Sequence, residues 1–252
     1  MVVTKGQSKP PSPPPVISGL KTPDKPPGSR HSQNQGQWAH IPSPLVLLWL
    51  IFSVPLVFWD LSYVFLRPHS MPGGKWHSIW SPYALYGAVD HIYGWPAYNA
   101  GDGFNAAQSA MNLIESACYV FYLGTIWVKA RPVGSREKMQ KTHRIASVMS
   151  FFAQEQQVDG RAGAVALVVV FSATLMTLSK TVLYHLNEVF SGFNNIGHND
   201  LKTIIFLWML PNGLWIVFPS IISYVLGKEV VCGLEAAMGA STALHSAKSK
   251  SS

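Results

Sequence analysis

The chain has 252 residues, of which 48% are hydrophobic and 12% are charged. Soluble domains usually carry about a quarter of charged residues, and the shortfall here falls in four long apolar runs, so the composition excludes an ordinary soluble domain and predicts a multi-pass membrane protein. The net charge of +7 comes mainly from the N-terminal segment, the connection 129–161 and the C-terminus, without the regular basic and aromatic alternation of a nucleic-acid surface, so nucleic acid is not an expected partner.

The first 40 residues contain the proline-rich stretches PPSPPP and KPPGS and few apolar residues. A segment of this composition cannot bury enough apolar surface to fold. We therefore predict a disordered cytosolic tail over residues 1–40, a membrane domain over residues 41–231 and a second cytosolic tail over residues 232–252.

The first predicted span covers about residues 45–66, which is long enough to cross a bilayer core of roughly 30 Å. Pro44 suits the first turn of such a helix, and Pro55 is expected to kink it. Asp60 lies in its C-terminal half, where a carboxyl group is costly to keep. The connection 67–104 is rich in Trp and Tyr, which predicts a structured loop at the membrane interface.

The second predicted span covers about residues 105–128 and carries a polar stripe. Its polar residues recur at steps of four and three, which places them on one helical face; they are Gln108, Asn112, Glu115, Tyr119 and Tyr122. A face turned to lipid would not carry this stripe, so we expect it to face the interior of the protein. The basic connection 129–161 follows, and its charge predicts a cytosolic segment.

The third and fourth predicted spans carry the remaining polar residues. The third covers about residues 162–186, and at its end Lys180, Tyr184 and Glu188 recur at steps of four, again on one face. In the fourth, which covers about residues 201–226, two polar residues share a face: Asn212 and Trp215. We expect these side chains to meet in one intramembrane pocket, because polar groups inside apolar spans are costly unless they are paired or functional.

These elements predict an all-α fold, a multi-pass transmembrane four-helix bundle with disordered tails. The positive charge of the N-terminus, the middle connection and the C-terminus places all three in the cytosol. The last residues read KSKSS, which resembles a dilysine-type retrieval signal and predicts the endoplasmic reticulum membrane.

Several short motifs stand in a characteristic order. Leu-Tyr-x-Leu-x-Glu, followed by Gly-Phe, lies at 183–193, and Asn-x-x-Trp-x-x-x-Pro lies at 212–219. Four acidic or aromatic positions match as well: Asp60, Asp90, Tyr93 and Glu115. Together these motifs resemble the EXPERA domain, which the emopamil-binding protein family of sterol isomerases shares with the sigma-2 receptor. The resemblance covers about residues 45–226 and is strongest to an uncharacterised branch of plants and fungi.

The first span departs from the sterol isomerases of that family. Those enzymes carry a His and a Glu four residues apart on the first helix of the domain, whereas Trp59, Asp60 and Val64 occupy this region here. Cys118 also stands where the isomerases place a Thr after the second-span glutamate. By its first helix the chain resembles the sigma-2 receptor type more closely.

The resemblance implies a pocket for a sterol-like or terpenoid lipid and isomerase chemistry, a double-bond shift or cyclisation through a carbocation. Such chemistry needs an acid, a base and a dry pocket with negative or π-rich walls, and the candidate catalytic pair is Asp60 and Glu115. The candidate substrate-binding residues are Asp90, Asn112, Tyr184, Glu188, Asn212 and Trp215. No cofactor and no metal is expected, since the loop histidines lack metal-ligand spacing; these are His69, His77 and His91.

A second hypothesis is a non-catalytic sterol or lipid receptor, or a chaperone for a partner membrane protein, of the sigma-2 receptor type. Structural roles also stay open for single residues. Lys180 is expected to neutralise Asp60 or Glu115, or to snorkel toward the membrane interface. Asp90 is expected to act as a loop cap or a pocket residue, and Trp215 to pack within the bundle or face a ligand. The expected partners are a hydrophobic small molecule and membrane lipid, and a homodimer stays open.

Overall fold

The computed structural model describes residues 38–133 and 155–250, with side chains up to residue 239. The predicted disorder of residues 1–37 and the centre of the basic connection therefore lie outside the described residues. Four helical segments within the described ranges are long and apolar enough to cross a membrane. The predicted all-α four-helix membrane bundle is confirmed.

The four spans are formed by α1 (Pro44–Phe65), α4 (Phe104–Lys129), α5 (Gly160–Phe190) and a final segment that begins at Leu201. The final segment consists of the single turn α6 (Leu201–Thr203), a π-helical segment (Ile204–Met209) and the long helix α7 (Leu210–Lys250). Its helix extends to Lys250, and so covers residues 232–250 of the segment that the sequence assigned to a tail.

The π-helical segment ends at Met209, two residues before Pro211. A proline within a helix lacks the N–H for the backbone bond and crowds the preceding turn, so a widened turn accommodates it. The carbonyl of Trp208 accepts a hydrogen bond from the side chain of Asn212, whose Nδ2 lies 2.8 Å away. This local distortion positions Trp208, which donates a hydrogen bond to Asp90, and Asn212, which lines the cavity between the spans.

The helices pack in sequence order, α1 against α4, α4 against α5 and α5 against α7, while α7 also touches α1. Three short strands join one end of the bundle: β1 (Ala39–His40), β2 (Arg131–Pro132) and β3 (Gln156–Asp159), in the antiparallel order β1-β3-β2. Since these strands flank the start of α1, the end of α4 and the start of α5, those three helix ends lie on the same side, as expected for four consecutive crossings.

His40 ties this end of the bundle together. Its side chain is fully buried, and its Nδ1 lies 2.8 Å from Glu229 Oε1 of α7 while its Nε2 lies 2.9 Å from the Tyr122 hydroxyl of α4. Gly163 of α5 passes so close that an added Cβ would collide with the carbonyl oxygen of Val158. Ordered structure therefore begins before residue 41, the boundary predicted from composition.

The other end of the bundle is covered by the connection between α1 and α4. It contains a 3₁₀ turn (His77–Trp80) and the short helices α2 (Tyr83–Val89) and α3 (Trp95–Asn99). The turn after α5 holds it in place, because His198 Nε2 lies 2.8 Å from the carbonyl of Ala88 and Asn199 Nδ2 donates to the carbonyl of Val89 at 2.7 Å. The loop is thus structured and fixed to the third span.

Candidate functional site

A cavity of about 320 Å³ lies between the four spans, beneath α2. All four spans contribute to its wall, and α2 adds two tyrosines from the connecting loop. Six of the eight residues that the sequence singled out line it: Asp60, Asn112, Glu115, Tyr184, Asn212 and Trp215. The helical periodicity therefore identified a real shared surface, and two residues, Asp90 and Glu188, lie outside it.

Glu115 and Lys180 form an ion pair in the cavity wall. Lys180 Nζ lies 2.9 Å from Glu115 Oε2, and both side chains are nearly buried, with 11% and 4% of their surface exposed. Lys180 also donates to Asn112 Oδ1. The expectation that Lys180 neutralises an intramembrane carboxylate is thus met by Glu115, on the neighbouring helix.

Thr177 supplies a second donor to the same carboxylate oxygen. Its hydroxyl lies 2.7 Å from Glu115 Oε2 and 2.7 Å from the Tyr119 hydroxyl. Because Thr177 has one hydroxyl hydrogen and Tyr119 can donate to it, the bonds run from Tyr119 to Thr177 to Glu115. Sequence reasoning missed Thr177, although its position one helical turn before Lys180 places it on the same face.

Two buried polar atoms of the cavity wall have no hydrogen-bond partner among the described residues. They are Glu115 Oε1 and Ser53 Oγ. A buried polar atom without a partner costs about 1–3 kcal/mol, and more when it is charged. Such atoms in a cavity wall are therefore suited to contact a bound molecule.

Asp60 is partly buried in α1 and has different partners from Glu115. Its Oδ1 accepts a hydrogen bond from the Tyr83 hydroxyl of α2, and it takes part in no salt bridge among the described residues. The cavity therefore contains two carboxyl groups, one beside an ammonium and one beside a phenol. Unlike surroundings are what separates an acid from a base in a shared site.

Aromatic rings form much of the remaining wall. The lining rings are Trp59, Tyr83, Tyr86, Tyr93, Tyr119, Tyr184 and Trp215. Tyr83 stacks on Tyr63 with ring centroids 3.9 Å apart, and Trp215 meets Trp49 edge to face at 5.1 Å. Trp215 thus both packs in the bundle and lines the cavity. Ring faces carry partial negative charge, so this wall favours a positively charged group.

Sequence reasoning missed Tyr83 and Tyr86. Tyr86 accepts a hydrogen bond from Asn212 Nδ2 at 3.2 Å, which connects the loop to the final span. A signal was available, because Tyr83, Tyr86 and Tyr93 recur at steps of three and seven. That spacing falls in a loop, however, where helical periodicity gives no reason to expect a common surface.

Asp90 lies behind the cavity wall and is fully buried. Its Oδ2 accepts hydrogen bonds from the Tyr184 hydroxyl and from Trp208 Nε1, the latter at 2.9 Å, and its Oδ1 accepts from the Ile92 backbone at 3.1 Å. Asp90 is therefore a loop cap that also fixes Tyr184, a residue of the cavity wall. Its predicted direct contact with a ligand is not supported, because it does not line the cavity.

Stability should depend on pH through Asp90. Burial raises the pKa of the Asp90 carboxyl from 3.8 to about 6, against the opposing hydrogen bond from Tyr184. The folded chain holds this proton more tightly than the unfolded chain. The Asp90 carboxyl therefore makes its full contribution to the free energy of unfolding below about pH 4, and this contribution is lost as pH rises through about 6. The expected loss is about 3 kcal/mol, measured as the free energy of unfolding in mixed micelles.

Asp90→Asn is the reference for that measurement, since an amide does not titrate. Burial and the charge of His198 lower the pKa of His91, whose ring stacks on that of His198 at 3.8 Å. The His91 contribution is therefore lost as pH falls and has the opposite sign, but it is common to both proteins and cancels. Parallel pH curves for the wild type and the variant would show that Asp90 does not titrate as described.

Glu188 was predicted to bind substrate, and its surroundings give it a structural role instead. It is buried, its Oε1 accepts from Asn195 Nδ2 at 2.6 Å and its Oε2 accepts from the Asn195 backbone at 3.3 Å. Although it shares a helical face with Lys180 and Tyr184, the cavity ends one turn earlier. Glu188 shapes the turn after α5, which in turn holds the covering loop.

Comparison with family models, curated proteins and solved structures found no match. Among the side chains that the structure describes, in residues 38–133 and 155–239, no three His, Cys, Asp or Glu residues converge as ligands of a metal ion. The groups that can take part in chemistry at this site are two carboxyls with different partners, one amine, and a wall of aromatic rings.

Proposed function

We propose that this chain is an EXPERA-type membrane protein whose cavity binds a sterol-like or terpenoid lipid and shifts a double bond by proton transfer. The observation that carries the proposal is that Asp60 and Glu115 line the same aromatic cavity and have different partners, Tyr83 for Asp60 and Lys180 for Glu115. The enclosing spans are apolar, so a hydrophobic ligand can enter from the bilayer. A polar ligand would lose its hydration at high cost.

The two carboxyls divide the reaction between them. Asp60 donates a proton to one alkene carbon, which leaves a carbocation on the neighbouring carbon. Ring faces such as Trp215 and the negative charge of the site stabilise that cation. Glu115 Oε1, which has no hydrogen-bond partner in the described residues, then takes a proton from an adjacent carbon. The double bond has moved, no atom is gained or lost, and the proton returns from Glu115 to Asp60 before the next turnover.

A second candidate function is a non-catalytic lipid receptor. One observation favours it: Asp60 and Glu115 are both already engaged by protein groups, namely the Tyr83 hydroxyl and the Lys180 ammonium. A carboxylate fixed in this way can hold a ligand hydroxyl or amine without transferring a proton. The receptor hypothesis assigns the same cavity and the same ligand class to the protein, and it differs from the isomerase hypothesis only in that no reaction takes place.

For location, we infer an endoplasmic reticulum membrane protein with both termini in the cytosol. The shared bundle end formed by β1, β2 and β3 carries Arg131 and adjoins the basic connection, and positive charge is retained on the cytosolic side. Fluorescence protection of tags at each terminus in selectively permeabilised cells tests the orientation. Opposite responses of the two tags would contradict it.

Expression in yeast that lacks its own sterol isomerase tests the reaction. The proposal predicts that the wild-type chain restores the missing sterol and that Glu115→Gln and Asp60→Asn lower the product by about 100-fold or more, since general acid–base groups contribute about 10²–10⁴. Glu235→Gln, an exposed carboxylate of α7, is the matched control and should leave the product unchanged. If the wild type makes no product but still binds sterol, the isomerase hypothesis is wrong and the receptor hypothesis is supported.

A further inference from the structure

The proposed proton transfer leaves one reactive group of the cavity without a chemical role, the primary amine of Lys180. It lies on a membrane span, is 11% exposed, and lines the cavity. Keeping an ammonium at such a position is costly. A neutral hydrogen-bond donor would hold Asn112 and Glu115 at lower cost, so an amine here calls for a further reason.

We propose that Lys180 forms a Schiff base with an apolar aldehyde or ketone of the terpenoid or sterol class. The inference deepens the proposed function, because it relies on the cavity admitting such a lipid, but it does not depend on the double-bond shift. Desolvation in an apolar pocket activates a lysine amine for this chemistry, and a neighbouring carboxylate stabilises the resulting cation.

The immediate surroundings of Nζ fit the reaction. An ammonium has three N–H donors, and two are taken by Asn112 Oδ1 and Glu115 Oε2. The third is available to a molecule in the cavity that Lys180 lines. Glu115 is 2.9 Å away and can accept the proton that must leave before nitrogen becomes a nucleophile.

The step balances without a further reagent. The Lys180 ammonium passes a proton to Glu115, and the free amine attacks the carbonyl carbon to give a carbinolamine. Glu115 returns the proton to the carbinolamine hydroxyl, which leaves as water while a carbon–nitrogen double bond forms. The product is a protonated imine on Lys180 with ionised Glu115 beside it, and nothing has been oxidised or reduced.

The charges of the site favour a carbonyl over an anionic ligand. Glu115 already offsets the charge of Lys180, so no net positive charge remains at Lys180 to attract an anionic headgroup. A neutral carbonyl compound replaces one cation, the ammonium, by another, the protonated imine. The charge balance of the buried site is therefore the same before and after condensation, and the aromatic wall faces the cation in both states.

Reductive trapping tests the proposal on the full chain, purified in lipid nanodiscs. Two carbonyl probes, farnesal and cholest-4-en-3-one, are each compared with the matching alcohol, farnesol or cholesterol, in the presence of sodium borohydride. Intact mass and peptide mapping should show one adduct on Lys180 with a carbonyl probe and none with its alcohol. Lys180→Arg keeps the positive charge but cannot form an imine, and should lose the adduct at least 10-fold.

Two further variants locate the effect. Glu115→Gln should lower the trapping yield at least 10-fold, because the proton acceptor is gone, whereas Lys202→Arg, at an exposed lysine of α6, should leave it unchanged. Labelling confined to surface lysines, with the same total yield in the wild type and in Lys180→Arg, would overturn the proposal, and so would the absence of any adduct.

Binding of tritiated cholesterol to the same nanodiscs separates this proposal from the proposed function. Sterol binding without an adduct overturns the Schiff base and leaves the lipid-binding cavity standing. An adduct on Lys180 in a chain that fails to rescue yeast supports the Schiff-base proposal and contradicts the proposed isomerase activity. Neither binding nor adduct overturns both.

Discussion

Glu115→Leu should lower the free energy of unfolding by about 3–5 kcal/mol, because it leaves the Lys180 ammonium buried without its carboxylate. The two side chains are 4% and 11% exposed, so water cannot replace the lost partner. The Thr177 hydroxyl and Asn112 remain, but neither carries a compensating charge. Equilibrium unfolding in mixed micelles measures the loss.

The double variant Glu115→Leu with Lys180→Met distinguishes the loss of the ion pair from a loss of side-chain packing. Replacing both members of a buried ion pair by apolar residues is often neutral or stabilising, so the double variant should recover most of the stability that Glu115→Leu loses. Glu235→Leu, at an exposed carboxylate of α7, should change stability by no more than about 0.5 kcal/mol. Losses that simply add in the double variant would contradict the ion pair.

His40→Ala should destabilise the chain by about 2–6 kcal/mol, because two buried or partly buried groups each lose a partner at roughly 1–3 kcal/mol. His40 is fully buried, and its two ring nitrogens contact Glu229 of α7 and the Tyr122 hydroxyl of α4. One side chain thus connects the segment before α1 to two spans. Unfolding in mixed micelles gives the magnitude.

Tyr122→Phe is the smaller companion change, since it removes a single hydroxyl and keeps the ring. It should cost about 1–3 kcal/mol, the penalty of leaving the His40 Nε2 without a partner. In the His40→Ala background the same change should cost much less, because the hydroxyl then has no partner to lose. An undiminished cost would show that the two residues do not interact.

Much of the bundle could be predicted from the sequence because membrane spans follow from the length of apolar runs. Part of the cavity wall could also be predicted from the sequence, because a helical period of 3.6 places Asn112, Glu115 and Tyr119 on one face whatever surrounds them. The pairing of Lys180 with a carboxylate followed from the cost of an isolated charge in a span. Each of these properties is local to a helix.

The remaining features depend on contacts between distant segments. Periodicity put Glu188 on the cavity face, but it cannot tell where along a face a cavity ends. It gave no reason to expect that α2 would fold over the spans and bring Tyr83 to Asp60. His40 was placed in a tail by the composition of its neighbours, although a single residue can be buried when partners on two other helices, here Tyr122 and Glu229, are available.

Photolabelling tests most directly the central claim that the cavity holds a sterol-like lipid beside Asp60 and Glu115. A diazirine sterol is activated on the full chain in nanodiscs, and labelled peptides are mapped. We predict labelling at residues 53–60 and 211–215 that unlabelled sterol competes away. This labelling should be lost in the cavity-filling variant Ser116→Trp and retained in Leu48→Trp, a control at an exposed, lipid-facing position. Labelling confined to lipid-facing positions such as Leu48 and Phe52, unchanged by Ser116→Trp, would contradict it.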